Sequence, residues 1–306
     1  MNPLFKRLLG VVPVVFGVLL LTFLLVHLVP GDPVEVMLGE SASSADRAQL
    51  RAELGLDRPL AVQFADYLGG LARGDFGRSI HTHAEISGLL AERFPATLRL
   101  ALLALGLALS VGLPLGVIAA LKHNRWPDRA ATMTALTFSA MPHFWLGPLL
   151  MLVFALWLGW LPVSGMESPT AIVLPAVTLA CGLAAILTRM TRASLLEVLN
   201  EDFVRTARAK GLPERVVILR HAMKAALLPV VTLVGLQLGS LLAGAVITET
   251  VFGWEGIGRL LVESIEKRDY PVTQACVLVI ALSYVLVNLL TDLAYARLDP
   301  RVRFSS

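Results

Sequence analysis

The sequence predicts an all-α membrane protein with six transmembrane helices. Of its 306 residues, 56% are hydrophobic and only 16% are charged, whereas soluble domains average about 25% charged residues. A membrane span needs roughly 20 apolar residues, and uncharged runs of that length occur six times. The predicted spans are about 8–29, 100–121, 132–158, 168–188, 225–248 and 270–291. They form one membrane domain over residues 1–306.

The charge pattern predicts which side of the membrane each loop faces. Lys6 and Arg7 precede the first run, as in a signal peptide, but the run is too long and lacks a small-residue cleavage site, so we expect it to be retained. With the amino terminus in the cytoplasm, the short outer loops carry only Arg259, Lys267 and Arg268, as the positive-inside rule requires. Both termini are therefore predicted to be cytoplasmic. The net charge of +3 is partitioned by membrane side and does not indicate nucleic-acid binding.

Residues 30–99 are predicted to form a mostly helical extracytoplasmic segment between the first two spans. Ser44 can cap a helix over 45–54, and Pro59 suits the start of a second helix. A third short helix is predicted over 84–93. The apolar faces of these helices are expected to pack on the membrane domain, and the acidic surface either receives a docking protein or is simply solvated.

Residues 189–224 are predicted to form a cytoplasmic loop that contains a short surface helix from Asn200 to Gly211. Asn200 is a suitable N-cap, and Gly211 can adopt the left-handed conformation that ends a helix. A helix of this length is marginal alone and needs packing partners. A second helix from about Pro213 is expected to lead into the fifth span, so that a force on the first helix reaches the membrane. The surface helix therefore suits a contact with another protein.

Catalytic machinery is not predicted in this chain. An ATP-binding P-loop ends in Gly-Lys-Ser/Thr, and none of the five lysines follows a glycine. No His-Glu-x-x-His zinc motif occurs, and His81 with His83 is too little to predict a metal site. A secondary transporter or channel working alone is a rival hypothesis. The absence of Asp, Glu, Lys and Arg from the six span centres argues against ion coupling.

The segment Thr206-Ala-Arg-Ala-Lys-Gly211, with Leu228-Pro229 downstream, resembles the cytoplasmic loop of binding-protein-dependent ABC importer permeases. The opening Glu-Ala-Ala of that loop is not reproduced, and the variant found here is similar to the dipeptide/oligopeptide branch, which includes glutathione and nickel permeases. Glu255 stands where the family often has proline. Further stretches that resemble this branch are Val29–Pro33, Leu54–Leu60, Gly74–Gly77, Pro95–Leu98, Arg268–Val272 and Asp299–Arg301.

The resemblance implies a type I ABC importer permease fold in a bacterial inner membrane. It implies a second, homologous permease chain, two cytoplasmic ATPases and an extracytoplasmic solute-binding protein as partners. The chain itself would bind no cofactor, because ATP and Mg belong to the ATPases. The cargo would be short peptides, with glutathione, nickel or another small solute as the alternative.

The resemblance also assigns candidate site residues, while the pathway candidates come from polar groups at membrane depth. Contact with the ATPase is expected at Phe203, Thr206, Ala207, Arg208, Ala209, Lys210, Gly211, Leu228 and Pro229. Small residues at 207 and 211 would permit close docking. Pathway lining or interhelical hydrogen bonding is expected at Gln237, Tyr284 and Asn288, and pathway lining or close helix packing at Ser240. His143, which follows Pro142, is interpreted as a hydrogen-bonded imidazole at a helix kink.

Overall fold

A computed structural model describes residues 3–28, 34, 43–53 and 56–298. Over these residues the regular structure is helical apart from one isolated β-bridge, between Arg78 and Glu85, which confirms the all-α prediction. The helices are α1 Pro3–Leu28, α2 Ser44–Glu53, α3 Leu60–Ala72, α4 Ile86–Leu121, α5 Trp126–Ala140, α6 His143–Leu150, α7 Val173–Val198, α8 Asp202–Ala209, α9 Glu214–Val216, α10 Met223–Gly244, α11 Val246–Phe252, α12 Ile257–Glu266 and α13 Tyr270–Leu298. The resembling stretches at Val29–Pro33 and Asp299–Arg301 lie outside the described residues.

Four of the described helical stretches are long and apolar enough to cross a membrane. They are Ile86–Leu121, Pro169–Val198, Glu214–Leu242 and Tyr270–Ala294. The pair α5 and α6 counts as a fifth if it is taken as one broken span. The first predicted span falls on α1, in which the described apolar stretch Gly10–Leu24 is shorter than a full span. The number six therefore stays a prediction.

The predicted third span, 132–158, falls on two helices that meet at the kink expected beside Pro142. Helix α5 ends at Ala140, and α6 leaves it at an angle of 104°. Met141 is extended, with φ −83° and ψ 118°, because the ring of Pro142 disfavours a helical conformation in the residue before it. After α6 the chain continues as a π-helical stretch, Met151–Trp157, which the sequence does not signal.

Two helices extend well beyond the uncharged runs that predict them. Helix α4 starts at Ile86 instead of 100, so the short helix predicted over 84–93 forms its first turns. Helix α7 continues to Val198, past the predicted end at 188. Charged residues end a hydrophobic run, but they do not end a helix, because backbone hydrogen bonding continues until a cap or a proline interrupts it.

The segment between the first two spans packs on α1, as predicted. Helix α3 begins directly after Pro59. The ring of Phe64 lies 5.2 Å from that of Phe23, measured between centroids, and the hydroxyl of Tyr67 lies 3.3 Å from that of Thr22. The apolar face of α3 therefore packs on α1 instead of forming a separate domain.

Glycines allow the membrane helices to pack closely. A Cβ atom on Gly116 of α4 would lie 2.6 Å from the Cβ of Thr191 in α7, and one on Gly239 of α10 would lie 2.8 Å from the ring of Tyr284 in α13. Such approach is how small residues allow membrane helices to associate. The resulting core between α4 and α7 is built from Leu100, Ala101, Ala104, Ala108, Leu179, Leu183 and Leu187.

Candidate functional site

Helix α8, the predicted surface helix, is anchored by one buried face. Val204 is 0% exposed and Ala207 is 6% exposed. Both belong to a hydrophobic cluster formed with the ends of α4 and α7 and with the start of the next span, and its other buried members are Ala120, Leu195, Val217, Ala222 and Ala226. The packing partners that a helix this short requires are therefore supplied by three elements of the chain. Sequence reasoning missed Val204, although its spacing of three from Ala207 is helical.

The remaining predicted contact residues of α8 and its C-terminal turn are exposed. Phe203 is 44% exposed, and Thr206, Arg208, Ala209, Lys210 and Gly211 are exposed as well. Phe203 and Ala207 are four residues apart, but they differ in burial, because Ala207 packs in the cluster and Phe203 does not. The small size of Ala207 thus allows α8 to approach its own chain. A large apolar side chain, Phe203, is left at the surface.

Helix α8 ends as the sequence predicts, but it does not begin as predicted. Asn200 is not the N-cap: its side chain Nδ2 donates to the carbonyl of Leu196, at 2.9 Å, and so closes α7. Glu201 occupies the N-cap position without a side-chain hydrogen bond. At the other end Gly211 has φ +75°, the left-handed conformation expected at the end of a helix.

Arg208 pairs with an acidic residue of its own chain. Its Nη2 atom lies 2.8 Å from Oε1 of Glu214, and its Nε atom lies 3.2 Å from Oε2. This two-point contact crosses the turn between α8 and α9. It also raises the pKa of the Arg208 guanidinium. The bridge connects α8 to the base of the span that begins at Glu214.

The Leu228-Pro229 pair lies inside that span, past its first turns. One helix runs over Glu214–Leu242, and Pro229 is inside it, so the pair does not form the entry to the span. The entry is a π-helical stretch, Val217–Ala222, with the buried residues Val217 and Ala222 against α8. Short π-helical stretches often mark functional sites. No feature of the sequence predicted this one.

An ion pair fixes the loop between α4 and α5 near the same end of the bundle. Asp128 is 3% exposed. Its Oδ1 atom lies 2.5 Å from Nε of Arg192, and its Oδ2 atom lies 2.8 Å from Nη2. The backbone N–H of Asn124 also donates to Asp128. The pair ties the α4–α5 loop to the extension of α7, on which α8 also packs.

The opposite end of α4 meets a second polar cluster. Glu249 of α11 is 0% exposed and accepts hydrogen bonds from the hydroxyl of Thr97, at 2.6 Å, and from the backbone N–H of Arg259, at 3.0 Å. Trp254 donates from its indole nitrogen to the carbonyl of Ala96. Glu255, which replaces the frequent proline of the resembling family, forms an ion pair with Arg93 at 3.0 Å.

The turn before α4 is held at this end by Asp269. Its Oδ2 atom accepts a hydrogen bond of 2.5 Å from Ser79. His81 contacts the carbonyl of Lys267 through Nε2, at 2.5 Å. No group of three or more potential metal ligands occurs among the described residues. The contact of His81 with Lys267 joins this turn to the segment between α12 and α13.

Two of the four pathway candidates line one cavity. Gln237 and Ser240 of α10 border a space of about 310 Å³ together with Ser139, His143 and Gly182. The imidazole Nδ1 of His143 lies 3.3 Å from the carbonyl of Thr178, which agrees with the interpretation of a hydrogen-bonded imidazole at a kink. The aliphatic walls are Leu179, Leu183, Ile186 and Leu241.

The other two pathway candidates do not line this cavity. The ring of Tyr284 packs against Gly239 on α10, and Asn288 lies one turn further along α13. The structure therefore separates the predicted pathway residues into a cavity pair, Gln237 and Ser240, and a pair on α13. His143 and Ser139 join the cavity pair because of the bend between α5 and α6, which no sequence period reveals.

Comparison with known proteins gives matches over nearly the whole chain. Residues 112–304 match the family described as binding-protein-dependent transport system inner membrane component. Residues 1–101 match the family described as the N-terminal part of the membrane component of such systems. The chain is 45% identical over 304 residues to the glutathione transport system permease protein GsiC of Salmonella choleraesuis, with 99% of each chain covered. The same values hold for GsiC of Escherichia coli K12.

Solved structures with a similar fold come from ABC transporters. One is the MetNI methionine ABC transporter in an inward-facing conformation, with a TM-score of 0.60 at 17% identity, covering 69% of this chain and 96% of that one. Another is described as an amino acid ABC transporter with histidines, with a TM-score of 0.53 at 18% identity, covering 70% and 94%. At these identities the similarity concerns the fold alone.

Proposed function

The chain belongs to the family of inner membrane components of binding-protein-dependent transport systems, and from this premise we propose that it carries short peptides inward, driven by ATP hydrolysis on separate subunits. The resemblance seen in the sequence is thereby confirmed, and the chain is an ABC importer permease subunit of the inner membrane. The subunit itself is non-catalytic. ATP and Mg belong to the two ATPase partners.

The proposed contact with an ATPase is the exposed face of α8. The observation that carries it is the division of this short helix into two sides. Val204 and Ala207 anchor it to three elements of the permease, while Phe203 and Lys210 stay at the surface. A rigidly supported helix with an exposed aromatic side chain suits a protein groove, because aromatic residues are frequent anchors of interfaces.

Force on α8 is proposed to reach the membrane through the turn that follows it. The Arg208–Glu214 bridge crosses that turn, and the helix over Glu214–Leu242 begins at once. Val217 and Ala222 pack with Val204 and Ala207 in one cluster, so α8 and the base of the span move together. In this proposal Arg208 positions α8. Thr206, Ala209 and Gly211 lie at the interface with the ATPase. Leu228 and Pro229 shape the span further along.

The proposed orientation places α8 and both termini in the cytoplasm. The basic residues of 189–224 support it, since cytoplasmic loops carry an excess of Lys and Arg. The end that carries Glu249 and Asp269, together with segment 30–99, then faces the solute-binding protein. A second, homologous permease chain completes the transport pathway. These assignments follow the family and the charge pattern.

Glutathione is the second candidate cargo, and a specific observation favours it. The permeases that are 45% identical to this chain over 304 residues are described as belonging to a glutathione transport system. Glutathione is itself a tripeptide, so it differs from the proposed cargo in its linkage and thiol, not in its general chemistry. Nickel remains an alternative cargo, but no group of three or more potential metal ligands among the described residues supports it.

The test is uptake in cells with and without this chain, with the rest of the transport operon intact. Labelled dipeptide, tripeptide, hexapeptide, glutathione and Ni²⁺ are supplied separately. Loss of peptide uptake on deletion would support the proposal, and the length profile would narrow the substrate. Loss confined to glutathione would favour the second candidate. Loss of Ni²⁺ uptake alone would refute both.

A further inference from the structure

The cavity between α5, α6, α7 and α10 is lined by both polar and aliphatic side chains. Four side chains that can form hydrogen bonds, Ser139, His143, Gln237 and Ser240, share it with aliphatic residues, and its lining contains no Asp, Glu, Lys or Arg. Its volume of about 310 Å³ is at the lower end of the range for small-molecule sites, ~300–1,000 Å³.

Three of these polar side chains have unused hydrogen-bonding capacity. Among the described residues, no hydrogen-bond partner is found for the side chains of Ser139, Gln237 or Ser240. Other hydroxyls of the same helices donate to their own backbone, as Thr137 does to Met133 at 3.0 Å and Thr178 to Leu174 at 2.8 Å. Ser139 and Ser240 are exposed and Gln237 is half-buried, so their donors and acceptors are accessible to another molecule that enters the cavity.

The imidazole of His143 is oriented toward the same space. Its Nδ1 atom contacts the carbonyl of Thr178, which leaves Nε2 available as an acceptor when the ring is neutral, because a carbonyl requires a proton on the nitrogen that faces it. Glycine at position 182 leaves room for the ring, since a Cβ atom there would lie 2.9 Å from Cε1 of His143. The α5–α6 bend and Gly182 together place the ring at the wall.

We infer that this cavity is a cargo subsite for solutes that carry peptide groups. The inference rests on the proposed importer function and specifies which chemistry passes. The side-chain amide of Gln237 can both donate to and accept from a peptide group, and the two serine hydroxyls and Nε2 of His143 add further partners. The lining offers one imidazole and no carboxylate or thiolate, which is a poor set of ligands for a bare divalent cation. The small volume accommodates part of a peptide chain at a time.

The first test compares cavity variants with a matched control in the complete importer. Gln237→Leu and Ser240→Val remove the polar groups, and Thr137→Val removes a hydroxyl of α5 that does not line the cavity. We expect Gln237→Leu and Ser240→Val each to reduce the uptake rate of the transported peptide or glutathione about tenfold, as the loss of a desolvated hydrogen bond predicts. Thr137→Val should transport normally at equal membrane abundance.

A second measurement does not depend on transport activity. Ser240→Cys is introduced into a chain in which Cys181 and Cys276 are replaced by alanine, and its rate of labelling by a thiol reagent is followed in the purified complex. Tripeptide or glutathione, supplied with the binding protein, should slow labelling at least severalfold. Labelling that cargo leaves unchanged, together with normal uptake by Gln237→Leu, would overturn the subsite while leaving the importer proposal standing. A wild-type complex that imports neither peptide nor glutathione would instead overturn the proposed function.

Discussion

The carboxylate of Glu249 and the hydroxyl of Thr97 together cap a helix to which neither residue belongs. Oε1 of Glu249 lies 2.6 Å from Oγ1 of Thr97. The same hydroxyl accepts from the N–H of Ile257, at 2.8 Å, and Oε2 of Glu249 accepts from the N–H of Arg259, at 3.0 Å. These are first-turn N–H groups of α12, which have no partner within their own helix. The contact fixes α12 to α4 and α11.

Thr97→Val should therefore destabilise the protein beyond the loss of one hydroxyl. Valine keeps the shape, but it leaves the buried N–H of Ile257 without an acceptor and removes one of the donors to Glu249. We expect a loss of about 1–3 kcal/mol in the free energy of unfolding, measured by thermal unfolding of the purified complex. Thr137→Val, at an exposed hydroxyl, is the control. Equal unfolding temperatures for the two variants would contradict the capping role.

The same carboxyl should give the stability of the protein a pH dependence. Burial raises the pKa of Glu249, which lies beyond the span Glu214–Leu242, above its ordinary value of 4.5, against the effect of hydrogen bonds from Thr97 and two backbone N–H groups. The folded chain then holds the proton to a higher pH than the unfolded chain does. Its contribution to stability is therefore complete below pH 4.5 and falls as the pH rises through the folded pKa.

Glu249→Gln tests this dependence, because an amide does not titrate. We expect the difference in unfolding temperature, wild type minus variant, to decrease as the pH is raised from 4.5 toward neutrality. Taking the difference cancels the titration of all other groups. A difference that is constant over this range, or that increases with pH, would show that the Glu249 pKa is not raised.

Phe203→Ala should weaken binding of the ATPase without unfolding the permease. Its side chain is 44% exposed on an anchored helix, so truncation costs little internal packing. If Phe203 is an anchor of the interface, the variant should lose about 2 kcal/mol of binding free energy for the ATPase, which is roughly 30-fold in affinity. Co-purification of the ATPase at increasing dilution measures this loss. Phe144→Ala, at a residue of the same type exposed on α6, is the control. Equal retention of the ATPase by both variants would place the contact elsewhere.

Gly211 and Ala207 should tolerate different replacements for different reasons. Gly211 has φ +75° with no atom near its missing side chain, so Gly211→Asn, which favours that conformation, should retain far more uptake than Gly211→Arg. Ala207 is buried, so Ala207→Arg should displace α8, whereas Ala207→Ser should be tolerated. All four should insert into the membrane, which immunoblotting of membranes would confirm. Normal uptake by Ala207→Arg would exclude the proposed role of α8.

The partner of Arg208 can be identified by exchanging charges. The bridge to Glu214 is substantially exposed, at 41% and 55% for the two side chains, so breaking it should cost at most ~1 kcal/mol of stability. If the bridge transmits force, Arg208→Glu should reduce uptake, and the double variant Arg208→Glu, Glu214→Arg should restore it. Failure of the double variant, with Glu214→Arg harmless alone, would show that Arg208 instead pairs with acidic groups of the ATPase.

The membrane class, the family and the local ends of several helices follow from the sequence alone. Uncharged runs reveal spans because the bilayer excludes charge over a fixed thickness. Gly211 and Pro59 mark helix boundaries because their backbone preferences act within one or two residues. For the same reason the C-terminal turn of α8 and the start of α3 were predicted correctly.

The face that each residue presents, and the partner that it contacts, depend on the tertiary structure. Asn200 closes α7 instead of opening α8, Ala207 turns inward, and Gln237 shares a cavity with His143 while Tyr284 packs on Gly239. Pro142 predicts a break in the helix, but the angle of 104° between α5 and α6 depends on how α6 packs against α7 and α11. These features depend on contacts between residues far apart in the chain. A local sequence pattern therefore shows that a residue can form a contact, but not with which residue it does so.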